Sequence, residues 1–214
     1  LGLSEEIAIE AMSGALATPY GISGTVHLEP PIAARLWFDE LRNQGQSVTA
    51  LRLENSTNSA AGRLARLKDA LQAYGELHVL DNESSLSFWH ELRLLSVLPY
   101  SETPLWRIST LPSKAFEVVS GIRRYIPVDA FYDWSGGLIW LEVPKSADAG
   151  ATEIRRVIAS TGGHATLVRA PDDVKSSIDV FEPMHSGVEL MTKRLNQLCD
   201  PPGILSRGRL YADM

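Results

Sequence analysis

Residues Val128 to Val143 constrain the fold more than any other stretch of this chain. Val128, Ala130, Tyr132 and Trp134 alternate with Asp129, Phe131 and Asp133. Beyond Ser135-Gly136-Gly137, Leu138, Trp140 and Glu142 alternate with Ile139, Leu141 and Val143. Two period-two runs joined by glycines predict a β-hairpin, because glycine reaches the positive φ that a tight turn needs. Opposed residues of a hairpin share a face, so residues 128, 130, 132, 134, 139, 141 and 143 form one apolar face. The other carries Asp129, Phe131, Asp133, Leu138, Trp140 and Glu142. It is too aromatic to be simply wet and too charged to be a core.

The remaining elements follow from periodicity and punctuation. Ser4-Glu5-Glu6 opens a helix to about Ala17, with a capping hydroxyl and carboxylates at the positive end of its dipole. Strands are expected at 22–28, 48–54 and 76–80, and a helix at about 58–74, closed by Gly75. Pro30-Pro31 ends the first strand, and residues 32–47 show no clear period beyond room for a short helix. A helix over 84–98 has Leu86, Trp89, Leu92 and Leu95 as its stripe. A second series begins after Pro104: strand 105–110, helix 112–124, the hairpin at 127–143, helix 152–160 and strand 164–169.

That second series is β-α-β-β-α-β, the split unit of ferredoxin-like folds. The first series has the same order without its first strand. The expected fold is therefore α+β: two ferredoxin-like half-units, about 1–98 and 104–170, sharing one antiparallel sheet with helices on one face. The missing strand would lie upstream of Leu1, making the chain a piece of a longer polypeptide. A last helix over 185–198 and a proline- and glycine-rich tail complete it.

Alternation assigns Val26, Leu28, Leu51, Leu53, Trp106, Ile108, Tyr132, Ile139 and Leu141 to the helix-covered face. The open face takes His27, Arg52, Glu54, Arg107, Ser109, Asp129, Phe131, Asp133 and Trp140. An antiparallel sheet can keep one face in water. Arginine mixed with Trp and Phe instead favours a face that covers a ligand or a second domain. Arg169 shares a phase with Leu167 and is not placed by this rule.

Bulk properties narrow the function classes. A net charge of −6 argues against a nucleic-acid partner. The single cysteine, Cys199, allows no internal disulfide and fits a cytoplasmic protein. No run reaches the roughly 18 apolar residues of a membrane helix. The five histidines lack metal-ligand spacing, and no Walker loop, G-x-G-x-x-G or G-x-S-x-G occurs. Gly162-Gly163 reads as a helix stop, and no catalytic constellation is evident.

The tail runs Cys199-Asp200-Pro201-Pro202-Gly203-Ile204-Leu205-Ser206-Arg207-Gly208-Arg209. With Ser23-Gly24 to Leu28, Leu105 to Ser109, Asp133 to Leu141 and Gly163 to Ala170, it resembles the C-terminal part of FAD-linked oxidases of the vanillyl-alcohol-oxidase type. The resemblance is strongest to the FAD-binding E subunits of bacterial glycolate oxidases. It departs where that family has Asn-Pro and this chain has Ser206-Arg207. The resemblance implies a cap and substrate domain over 1–184, and a helix and tail over 185–214 returning toward an N-terminal FAD-binding domain outside this chain. It also implies FAD held mainly by that domain, a small 2-hydroxy acid as substrate, and other oxidase subunits as partners. FAD would carry the hydride chemistry. Arg107 and Arg52 are candidates for holding the substrate carboxylate, with His27, Asp133 and Trp140 facing substrate or flavin. Gly203, Ser206, Gly208 and Arg209 form the cofactor-side loop. An ordinary Arg107–Asp133 ion pair is the competing role for that arginine.

Overall fold

The computed structural model describes residues 1–98, 102–205, 208 and 211, and of residues 57 and 58 the backbone alone. Six strands form one antiparallel sheet: β1 (Ile22–Leu28), β2 (Val48–Leu53), β3 (Leu105–Ser109), β4 (Asp129–Asp133), β5 (Leu138–Glu142) and β6 (His164–Arg169). Their spatial order is β2-β1-β4-β5-β3-β6. The helices are α1 (Glu5–Leu16), α2 (Pro30–Ala33), α3 (Asp39–Arg42), α4 (Thr57–Leu71), α5 (Asn82–Arg93), α6 (Ala115–Arg123), α7 (Ala151–Thr161), α8 (Asp172–Ser177) and α9 (Ser186–Cys199). The protein is α+β, with an antiparallel sheet as its frame.

The central hairpin pairs Tyr132 with Ile139, Ala130 with Leu141 and Phe131 with Trp140, so its faces are divided as the alternation predicts. Its connection is longer than a two-residue turn. Trp134, Ser135 and Gly136 all take positive φ (51°, 56° and 92°), and Trp134 leaves the expected apolar face to become 63% exposed. Ser135 is buried instead, and its N–H donates to Thr25 Oγ1 at 2.7 Å. At Gly136 a side chain would put Cβ 2.6 Å from Ala115 Cβ, so glycine is needed for space as well as for φ.

The first face of the sheet carries Trp106, Ile108, Tyr132, Ile139, Leu141 and Leu167, packed against Ile9 and Met12 of α1, Val118 to Ile122 of α6 and Ile154 to Ile158 of α7. Trp106 is fully buried and its indole N–H donates to Ala149 O at 2.8 Å. Leu67 and Leu71 of α4 cover the β2 end with Ala11, Ala15, Leu51 and Leu53.

The second face is not open throughout, which overturns the expectation of helices on one face. Val26, Leu28, Val48, Leu105 and Phe131 pack there against Ile32 and Ala33 of α2, Leu41 of α3, and Phe88 and Leu92 of α5. β1 is in the opposite phase to that expected, because Leu28 opposes Phe131 and His27 opposes Tyr132. Hydrophobicity marks Val26 and Leu28 as one apolar face, but it cannot choose a side where both sides are covered. Phe131, expected on the open face, is likewise buried.

Three further elements differ. Residues 75–80 form no strand. A strand needs a neighbour for its backbone groups, and here only a cleft lies between this segment and β2. In α5 the buried positions are Phe88, Glu91 and Leu92 while Leu86 is 52% exposed, so the stripe is rotated from the expected one; the Glu91 carboxylate accepts from Trp37 N–H at 2.7 Å. The stretch 32–47 contributes α3, and Pro30-Pro31 begin α2, where proline's missing N–H costs nothing.

Candidate functional site

Over β5, β3 and β6 the second face carries half-buried and exposed polar residues. One row runs Trp140–Arg107–Thr166, and the next runs Leu138–Ser109–His164. Arg107, Trp140, Ser109 and Thr166 are each half-buried. Among the described residues Arg107 makes no ion pair, including none with Asp133. Asp133 is two strand spacings away, about 10 Å along the sheet. It accepts from Trp134 N–H at 2.7 Å, and burial raises its pKa above the ordinary aspartate value.

The adjacent row explains why Arg107 is left with its charge. Arg169, Leu105, Glu142 and Asp129 lie side by side across β6, β3, β5 and β4. Arg35, just after α2, pairs with both Glu142 and Asp129, the latter at 3.2 Å, and Arg169 reaches Glu142 at 3.2 Å. Two guanidiniums thus meet two carboxylates, so the cluster is neutral and Glu142 is committed. Arg107 adds a positive charge to a surface with a flat indole on one side and hydroxyls beside it. A guanidinium in that setting can take a carboxylate bidentately.

The other candidates do not converge on it. Arg52 shares the face but sits on β2, four strand spacings away, about 19 Å along the sheet. It is committed to Glu54 at 2.9 Å and lies over the Trp89 ring at 5.9 Å. Arg52 and Arg107 therefore cannot grip one small acid together. His27 lies on the covered face, 1% exposed, with Nδ1 2.9 Å from Thr49 Oγ1 and its ring 5.9 Å from that of Tyr132. Burial holds its pKa down to about 4, so it is a neutral core residue near pH 7. Trp140 shares the face with Arg107 as alternation assigns, and the register pairs the two directly.

Two charged groupings escaped sequence reading. Arg35 belongs to the stretch without a period, and Arg169 to the strand whose phase was ambiguous. The second grouping lies between α1, α2, α6 and β4, with Glu29 and Tyr132 buried and Glu5 and Arg123 half-buried. Arg123 donates to Glu5 (2.8 and 2.7 Å) and to Glu29, Tyr132 Oη donates to Glu5 at 2.8 Å, and Ala130 N–H donates to Glu29 at 2.7 Å. Burial, reinforced by the neighbouring Glu5, pushes Glu29 far above the usual carboxylate range, and Glu5 is lowered. Glu5 reads in the sequence as a first-turn carboxylate; its partner 118 residues away is not visible there.

In the tail, Gly203 (φ 64°) closes a turn whose N–H donates to Asp200 O at 2.9 Å, and Leu205 N–H donates to Asp200 Oδ2 at 2.8 Å. Gly208 is exposed, and Ser206 and Arg209 lie outside the described residues. Tyr211 ties the tail to the body through Oη–H to Glu182 O at 2.9 Å. Helix α9 buries no residue, and Val188, Met191, Leu195 and Leu198 are 56–79% exposed.

No model of a known protein family matches the chain. Over 129 residues, 59% of its length, it is 34% identical to "Glycolate oxidase subunit GlcE" of Escherichia coli (strain K12). The chain is similar to a part of an oxidase subunit. The match spans 32% of that relative's length. Among the described residues, no group of three or more His, Cys, Asp or Glu could hold a metal, and no helix is long and apolar enough to cross a membrane.

Among the described residues, the cleft beside β2 does not fit a grip for FAD. This cleft, about 310 Å³, is lined mostly by Leu, Val, Ala, Phe and Trp; Lys68, Glu76 and His78 also line it, and its Arg52 is already paired. A diphosphate would need a glycine-rich turn opening a helix, or several free cations. Neither lines this cleft.

Proposed function

We propose that this chain is the substrate-side cap segment of an FAD-linked oxidoreductase subunit acting on a small, glycolate-like 2-hydroxy acid. Residues 1–184 would form the cap, and 185–214 the tail returning to a flavin-binding domain outside this chain. The observation that carries the reading is Arg107: a half-buried cation beside Trp140, unpaired among the described residues, next to an ion cluster that is already neutral. Arg107 would hold the substrate carboxylate, Ser109 and Thr166 would offer hydroxyls to it, and Trp140 would exclude water from one side. The similarity to a glycolate oxidase subunit supports the substrate class. The exposed apolar stripe of α9 supports docking against a further domain or subunit.

The test is made in the full-length flavoprotein with Arg107→Ala and Arg107→Lys. Loss of one charge-assisted carboxylate contact predicts roughly a 10- to 150-fold weaker substrate affinity for Arg107→Ala, about 1.5–3 kcal/mol. Thermal stability is expected to be unchanged, because no intramolecular pair is lost. Lysine is expected to recover part of the affinity. Unchanged substrate affinity in Arg107→Ala removes Arg107 from the site. It then favours a different reading, a non-catalytic assembly module, for which the exposed apolar stripe of α9 is a docking face.

A further inference from the structure

The two edges of the sheet are finished differently. At the β6 edge, Leu167 N–H donates to Val180 O at 2.8 Å, so a following segment covers part of the ladder. At the β2 edge, Gly2 N–H donates to Ser47 O at 2.9 Å, and Ser47 Oγ donates to Leu3 O at 2.6 Å. Beyond that point β2 faces the cleft of about 310 Å³. Leu64 and Leu67 of α4 line it from one side of the sheet and Phe88 and Trp89 of α5 from the other; Leu77 and Val79 form its far wall. An exposed strand edge between two apolar helix faces is a template for one more strand.

We propose that the polypeptide immediately preceding Leu1 fills this cleft as a strand antiparallel to β2. The direction is set by the first residues. Gly2 lies beside Ser47, at the beginning of β2, so residues farther upstream run along β2 in the reverse sense. Leu1 already lines the cleft, and Gly2, at φ 77°, turns the chain away from the edge toward α1. The connection would run strand, α1, then β1, with β2 lying between the new strand and β1, and such crossovers are right-handed as a rule.

The same insertion accounts for residues 76–80. Glu76-Leu77-His78-Val79-Leu80 has strand-like composition, yet it is irregular and leaves Leu77 and Val79 37% and 49% exposed. With a strand between it and β2, this segment gains a neighbour for its backbone groups. The occupant is therefore an extended stretch of about five residues. Its side chains would point alternately at Leu64 and Leu67 of α4 and at Phe88 and Trp89 of α5, a lining that selects apolar residues on both sides. This inference is independent of the substrate assigned above.

The experiment uses the full-length polypeptide in a Cys199→Ser background. Single cysteines at each of the four positions before Leu1 are combined with Ala50→Cys, and mild oxidation is followed by mapping of the cross-links. Val168→Cys on the opposite edge is the control partner. One register is expected to cross-link to Ala50→Cys in at least tenfold higher yield than to Val168→Cys. Amide exchange is expected to be slow in both β2 and 76–80. Equal yields with the two partners, fast exchange in both segments, or a reading frame without residues ahead of Leu1 overturns the proposal. Concentration-dependent cross-linking between two polypeptides also overturns it, because a second copy would then occupy the edge.

Discussion

Replacing His27 with Gln should remove a specific part of the protein's dependence on pH. The imidazole is 1% exposed, its Nδ1 meets Thr49 Oγ1, and Tyr132, Glu5 and the Leu1 ammonium are the titratable groups acting on it. Burial lowers its pKa from 6.5 to about 4, against the opposing pull of the Glu5 charge. Below about pH 4 both folded and unfolded chains carry the proton. Between 4 and 6.5 the unfolded chain binds more protons, so stability rises with pH. Above 6.5 both are neutral and the contribution is complete. At about 1.4 kcal/mol per pH unit, the interval from 6.5 to about 4 amounts to roughly 3 kcal/mol. Glu29 acts with the opposite sign, since its raised pKa makes stability fall as pH rises above 4.5. It is present in both proteins and cancels in their difference. Urea unfolding from pH 4 to 7.5 should show the wild-type minus His27→Gln difference growing by about 3 kcal/mol and levelling near pH 6.5. A difference that stays flat across that interval refutes the assignment of His27 as a buried neutral residue.

Gly136→Ala combines φ 92° with a Cβ 2.6 Å from Ala115 Cβ, so a loss of about 2–4 kcal/mol is expected in chemical denaturation. Arg123→Met leaves the half-buried Glu5 and the buried Glu29 without their cation. A loss of about 3–5 kcal/mol near pH 7 is expected, with partial recovery on acidification as Glu5 protonates, Glu29 being already largely protonated with its pKa at about 8; calorimetry at pH 7 and pH 5 checks both.

Local pattern was legible where one face of a strand differed chemically from the other. Trp106, Ile108, Ile139 and Leu141 fall on the buried face that alternation assigns, and the ends of β1 and β6 match their predicted limits. The phase of β1 was not legible, because Val26 and Leu28 are apolar on a face that is also covered, while His27 on the other face is polar and buried. Residues 76–80 have the propensity of a strand without a bonded neighbour, and propensity carries no information about partners. The site was partly legible. Arg107 beside Trp140 follows from the hairpin and β3, but the ion cluster that leaves Arg107 uncompensated needs Arg35, whose segment has no period to read. Arg52 looked equivalent to Arg107 in sequence; strand order alone separates them.

The most direct test of the account is anaerobic addition of glycolate to the purified full-length protein, watching the visible absorption of its flavin. The account predicts a yellow protein that bleaches with glycolate, and an Arg107→Ala variant equally yellow but bleaching only at much higher glycolate. A full-length protein that binds no flavin, or one that bleaches identically with and without Arg107, would contradict it.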